Sequence, residues 1–207
     1  RAKDPSQNQL KSILDLYREG SFQQALEKIK SLLEKFPNSS NLYNFLGVIN
    51  RNLNNSDEAL KNYRYALKIN PNFAEPHSNM GNIYMANKNF NAAEECFKKA
   101  LLINPNFPEA HNSIGLILKD RGNLDAAINR FQQALANRPD YAEAFYNIGN
   151  VFYNKQDFDR AIENFKRAIL IKPNYAEAYN NMGIAIKSKG NLTDAISSYK
   201  RAIHINP

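Results

Sequence analysis

The sequence predicts an all-α solenoid of six stacked helical hairpins, and three observations carry that expectation. Prolines stand at 37, 71, 105, 139, 173 and 207, a spacing of 34 residues met five times running, and a constant period of that size marks a stacked array. Each period holds two stretches with apolar residues at helical spacing. A short polar turn separates them, as at Asn87-Lys88-Asn89.

The unit is plainest between Pro71 and Pro105. Asn72 lies three positions before Glu75, a spacing that predicts a capping box opening the first helix, while Pro71 stops the helix before it. His77, Met80, Gly81, Ile83 and Tyr84 share one side of the first helix, and Phe90, Ala93, Phe97, Ala100 and Leu101 one side of the second. By the same reading, first helices are capped by Asn38, Asn72, Asn106, Asp140 and Asn174, and second helices by Asn55, Asn89, Asn123, Asp157 and Asn191. The repeats run at about 40–73, 74–107, 108–141, 142–175 and 176–207, within one domain spanning 1–207.

Residues 6–39 form a degenerate first repeat, in which Ile13 stands where the glycine belongs and Gln9 replaces an aromatic residue. Leu10, Ile13, Leu14 and Tyr17 make one apolar stripe, the pattern of an N-terminal cap whose other face is solvated. The second helix, from Ser21 through Phe22, Ala25, Leu26 and Leu33 to Pro37, is regular.

Glycine inside a helix costs about 1 kcal/mol relative to alanine, yet it recurs as Gly47, Gly81, Gly115, Gly149 and Gly183. The expected gain is close approach of the second helix, whose Ala59, Ala93, Ala127, Ala161 and Ala195 keep the same register. Tyr63, Phe97, Phe131, Phe165 and Tyr199 are expected to fill the space around that contact, each burial contributing about 1.5–3 kcal/mol.

Composition narrows the function classes. A single cysteine, Cys96, allows no intrachain disulfide, which suits a reducing compartment and makes cytoplasm the default expectation. No apolar run approaches the ~20 residues that span a bilayer, and no signal-peptide pattern is present. A net charge of +7 raises nucleic acid as a partner. The basic residues Arg64, Lys98, Lys99, Lys166, Arg167, Lys200 and Arg201 fall on second helices among acidic neighbours, so a solvated outer face is expected instead.

No catalytic constellation, cofactor or metal site is expected. His77 and His111 occupy one place in successive repeats, where helix axes about 8–10 Å apart prevent a shared metal with ~2 Å bonds. Cys96 has no partner histidine at a motif spacing, and each glycine sits alone rather than in a phosphate loop. The start at Arg1 without methionine is expected of a fragment or processed form. An unfilled stacking face around Ala195, Tyr199, Ala202 and Ile203 predicts further repeats or another domain after Pro207, or self-association through that face.

The residues at 77, 80, 81, 84, 93, 97 and 105 resemble the tetratricopeptide (TPR) pattern of aromatic-x2-L-G-x2-Y, then A-x3-F, then P. His77 and Met80 depart from it, whereas Tyr43, Phe145 and Tyr179 keep the aromatic. The resemblance covers Asn41 to Pro207 in five copies. It implies a right-handed superhelix whose first helices line a concave groove, with their non-core places facing a protein or peptide partner.

Counted from Ala74 as the first place, places 2, 5, 6, 9, 12 and 13 are the candidates. They single out Asn44, Asn79, Asn82, Asn112, Asn147, Asn150, Asn180, Asn181, Tyr146, Tyr153, Lys119 and Lys187 as a peptide-binding groove. Each carboxamide donates and accepts at once, so a row of them can bracket an extended backbone whatever its side chains. With 31 asparagines among 207 residues, ordinary solvated surface is the competing reading. Changing Asn79, Asn147 and Asn181 together to Ala is expected to weaken partner binding with folding intact.

The asparagines of SNMGN, YNIGN and NNMG also resemble the array of O-linked N-acetylglucosamine transferases, and bacterial TPR proteins with transferase domains are similar. That resemblance implies an alternative role, the acceptor-recognition arm of a larger glycosyltransferase or sulfotransferase. Glu75, Glu109, Glu143 and Glu177 at place 2 argue against an acidic-tail clamp and are expected to serve as capping and dipole residues.

Overall fold

Apolar residues at a 3.6-residue period, interrupted by Asn-rich turns, produce helix after helix in the computed structural model, which describes residues 4–207. Arg1, on which the expectation of a truncated start rests, lies outside them. Among the described residues there are twelve helices and no strand. The first compact unit, Arg1–Pro105, contains α1 (Gln7–Arg18), α2 (Phe22–Lys35), α3 (Ser40–Asn52), α4 (Ser56–Ile69), α5 (Ala74–Ala86) and α6 (Phe90–Ile103). The second, Asn106–Pro207, contains α7 (Pro108–Asp120), α8 (Leu124–Asn137), α9 (Ala142–Asn154), α10 (Phe158–Ile171), α11 (Ala176–Ser188) and α12 (Leu192–Ile205).

Odd and even helices pair as hairpins in both units, and within a unit the second helix of each hairpin packs on the first helix of the next. The architecture is an all-α helical-repeat solenoid. Each turn inside a hairpin is closed the same way. The residues at 20, 54, 88, 122, 156 and 190 all adopt positive φ, and the following amide donates to a carbonyl five residues back, as in Asn123 to Leu118 at 2.9 Å and Asp157 to Phe152 at 2.9 Å. This is the Schellman closure, which satisfies a carbonyl otherwise orphaned at a helix end. Only three of the six positive-φ residues are glycine, so the turn was not visible as a glycine series.

The next residue along caps the second helix at Asn55, Asn89, Asn123, Asp157 and Asn191, as expected. Side chains accept the capping hydrogen bond at Asn89, Asp157 and Asn191. The first helices differ from expectation. Their N-caps are Ser39, Phe73, Phe107, Tyr141 and Tyr175, one residue after the expected Asn38, Asn72, Asn106, Asp140 and Asn174, and of the five only Ser39 accepts a hydrogen bond with its side chain. An aromatic ring at the cap is better used in the core than an amide is at the terminus: Tyr175 packs against Ala142, Ala168 and Ala178. A true capping box does occur in the degenerate repeat, between Ser6 and Gln9, where Gln9 had registered only as a missing aromatic.

The recurrent glycine has a different neighbour from the one expected. Its α-carbon is covered by the aromatic ring of the second helix rather than by the alanine: a Cβ built at Gly47, Gly81, Gly115, Gly149 or Gly183 would lie closer than 3.0 Å to the ring of Tyr63, Phe97, Phe131, Phe165 or Tyr199 respectively. In the first repeat both partners change together. Ile13 replaces the glycine, Ile29 occupies the place of the ring, and both are fully buried in one cluster. Within the expected α1 stripe, Leu14 is instead exposed, and Leu16 packs on the cluster in its place.

Candidate functional site

First helices carry the candidate residues because each hairpin sets its core on places shared with the second helix, leaving the remaining places toward neighbouring first helices. In the first unit Asn44 on α3 and Asn79 on α5 face each other, Asn79 Nδ2 donating to Asn44 Oδ1 at 3.2 Å. Asn82 is half-buried on α5.

In the second unit the same relation links α7 and α9, where Asn147 Nδ2 donates to Asn112 Oδ1 at 3.0 Å. Both residues are only 7% exposed. Their amides therefore join successive hairpins, and the Nδ2 of Asn147 and the Oδ1 of Asn112 are engaged internally. Between α9 and α11 the pattern changes. Asn181 Nδ2 donates to Asn150 Oδ1 at 2.8 Å and to Tyr146 Oη at 2.9 Å, while Asn180 Nδ2 donates to Asn181 Oδ1 at 3.2 Å.

Asn181 is the wall between two cavities. One, of about 290 Å³, is lined by Lys119, Asn150, Tyr153, Asn154, Asn181 and Ile184. The other, of about 330 Å³, is bordered by Tyr146, Asn180 and Asn181 together with Glu177, Ile203 and Asn206. Six of the sequence-derived candidates, Lys119, Asn150, Tyr153, Asn181, Tyr146 and Asn180, line one or both cavities. Lys187, exposed in the last turn of α11, lines neither of these two. Asn154 had not been singled out; it sits at place 13 of α9, one residue beyond Tyr153, and its only signal was that place.

Tyr146 is held by packing as well as by Asn181. Its ring centroid lies 5.1 Å from that of Tyr175 and 5.9 Å from that of Phe165. Tyr153 packs on Phe158 at 5.6 Å, which leaves its hydroxyl at the cavity. Two of the four glutamates at place 2 make ion pairs within their own hairpins: Glu109 pairs with Arg138, and Glu143 with Lys172 at 3.6 Å. The hydrogen bond from Arg138 to Glu109 holds the Arg138 guanidinium above its ordinary pKa.

The basic residues at places 25 and 26 are exposed. Two of them pair along their own helices, Lys98 with Glu94 at 2.7 Å and Arg167 with Glu163 at 2.8 Å. His77 is half-buried, and burial, aided by Lys99, lowers its imidazole pKa. Cys96 is buried, and burial raises its thiol pKa. On α12, Leu192, Ile196 and Ile203 are exposed by 60%, 52% and 63%. The corresponding Ile162 and Ile169 of α10 pack on α11, against Ala185, Met182, Tyr175 and Ala178. Among the described residues, no helix is long and apolar enough to cross a membrane.

A family model described as TPR repeat matches residues 47–88, 115–156 and 149–188, and models described as tetratricopeptide repeat match 74–107, 96–129 and 176–207. No curated protein matches. Among solved structures, MamA is 31% identical with a TM-score of 0.66, over 77% of this chain and 94% of its own. YrrB, a TPR protein with an unusual peptide-binding site, is 23% identical with a TM-score of 0.63, over 86% of this chain and 92% of its own. PilF of Pseudomonas aeruginosa is 17% identical with a TM-score of 0.83, over 97% and 91%.

Proposed function

The chain belongs to the tetratricopeptide-repeat family, a class of protein-interaction scaffold, and from that premise we propose that it binds an extended segment of a partner protein along its first helices and catalyses no reaction itself. The observation that carries this reading is the pair of cavities on either side of Asn181, lined largely by places 5, 6, 9, 12 and 13 of α7, α9 and α11. Polar groups converge there beside Tyr153 and Ile184, the mixture of fixed hydrogen-bonding groups and apolar surface that peptide sites use.

The groove works by main-chain recognition. Carboxamides supply donors and acceptors to an extended backbone, and the cavities between them admit side chains. Asn181, fixed by three hydrogen bonds within the protein, is a preorganised wall, which lowers the entropy lost when a flexible segment binds.

Selection of a displayed library of random 12-residue peptides against the chain tests the reading. Enriched peptides should lose affinity about tenfold or more with Asn150→Ala plus Tyr153→Ala, and change little with Lys166→Ala plus Arg167→Ala on the outer face. Peptides that bind equally well to the groove variant would overturn it.

A further inference from the structure

We infer that the cavity between α7, α9 and α11 is a subsite for an acidic side chain, Asp or Glu, of the bound segment, with an apolar neighbour seated against Ile184 and Tyr153; this rests on the groove reading above. The inference comes from which polar groups the protein leaves over. Asn181 occupies the Oδ1 of Asn150, so Asn150 offers its Nδ2 to the cavity. Asn154 makes no side-chain hydrogen bond among the described residues, and Lys119 makes neither a hydrogen bond nor an ion pair there.

No carboxylate lines this cavity. Of the acids on the surrounding helices, Asp125 pairs with Lys155 and Asp159 with Lys189, and neither Asp120 nor Glu177 lines this cavity. The free groups are thus an ammonium, two carboxamides that present N–H groups, and the Tyr153 hydroxyl. A carboxylate is an acceptor-only group with room for several donors, and hydrogen bonds from a cation to it are about twice as strong as neutral ones. A ligand acid therefore completes the set, whereas a ligand lysine or arginine would meet Lys119.

An internal residue fits better than a chain end, because the second cavity continues the trough on the far side of Asn181. Nucleic acid fits worse. Its affinity grows with the number of phosphates neutralised, and this cavity supplies one lysine beside an isoleucine.

The test uses the same displayed library, whose peptides have no free C-terminus, against the wild-type chain and Lys119→Gln. The wild-type selection should yield one position dominated by Asp or Glu next to an apolar residue, and Lys119→Gln should lose that preference while still selecting binders. A synthetic, C-terminally amidated peptide from the selection, made with Glu and with Gln at that position, should bind the wild type with about a tenfold difference and Lys119→Gln with less than about a twofold one. Thermal melts of the two proteins should coincide.

Binders without an acidic position, or a Glu preference that survives Lys119→Gln, would overturn the subsite and leave the groove standing. Failure to select any peptide would overturn both. Displacement of a selected peptide by a 20-residue oligouridylate, lost with Lys119→Gln, would reassign the cavity to a phosphate and also overturn the inference.

Discussion

Phe131 lies over Gly115 so closely that a Cβ on that glycine would stand 2.5 Å from the ring's Cε1. Two effects therefore compete in Gly115→Ala. Helix propensity favours alanine by about 1 kcal/mol, while overpacking a filled site costs about 1–3 kcal/mol. Phe131 is fully buried and has little room to yield, so packing should win and the denaturation midpoint should fall. Phe131→Ala alone should cost about 3–5 kcal/mol. Combining Gly115→Ala with Phe131→Ile should cost less than the sum of the two single changes, since the first repeat already packs a side chain at the glycine place, Ile13, with an isoleucine at the ring place, Ile29. A raised midpoint in Gly115→Ala would refute the ring-on-glycine account.

Tyr63 occupies the same place as Phe131, fully buried, and its hydroxyl has no partner among the described residues. Removing a buried polar group that makes no hydrogen bond relieves its desolvation cost, so Tyr63→Phe should stabilise by about 1 kcal/mol. Burial also pushes the hydroxyl pKa from 10.0 up to about 12. Between those values the unfolded chain has lost a proton that the folded chain keeps, so stability falls as pH rises through that window. Urea melts at pH 8 and pH 11 should show the advantage of Tyr63→Phe widening at the higher pH, and an advantage that shrinks there would contradict it.

Asn147→Ala removes the donor to Asn112 Oδ1 and leaves that acceptor buried. The expected cost is about 1–3 kcal/mol, and Asn112→Ala with Asn147→Ala together should cost less than the two added. A triple substitution of Asn79, Asn147 and Asn181 consequently disturbs hairpin packing along with groove chemistry. Asn154, exposed at a cavity and making no side-chain hydrogen bond among the described residues, is the cleaner probe of binding. Equal melting temperatures for Asn147→Ala and the wild type would show that the buried amide pair contributes nothing.

Gln156 holds φ at 59° in the turn where Gly122 and Gly190 stand in neighbouring repeats. A left-handed backbone costs a side-chain-bearing residue roughly 1–2 kcal/mol, partly offset for glycine by its freer unfolded state. Gln156→Gly should therefore stabilise by about 0.5–1 kcal/mol, and Lys88→Gly, at φ 57°, by a similar amount. Asn54→Gly should change little, because asparagine tolerates that region. Calorimetry of the three variants checks the order, which would be wrong if Asn54→Gly gained most.

Periodicity made the hairpins, the second-helix caps and the buried rings of Tyr63, Phe97, Phe131 and Phe165 legible, since each follows from residues a few positions apart in one repeat, whereas Tyr199 at the end of the series is only half-buried. Reading Asn72 as a cap erred by one residue, because amide and aromatic are adjacent there and the helix begins after Phe73. The glycine partner was missed for a similar reason. Ala93 and Phe97 lie on one helical face, and only the rotation of α6 against α5 brings the ring of Phe97, rather than the alanine, onto Gly81.

The sequence by itself determined the repeat, its two helices and the row of first-helix asparagines, because those depend on local spacing and on the 34-residue translation. The stacking within each unit decided which amides of the row are buried. Asn112 and Asn147 were turned toward each other and buried, Asn150 was tied through its Oδ1 to Asn181, and Asn154 was left exposed beside Lys119. Places 5, 6, 9 and 13 face within about 100° of one another around the helix, so the offset of the neighbouring hairpin separates an amide buried between helices from one beside a cavity.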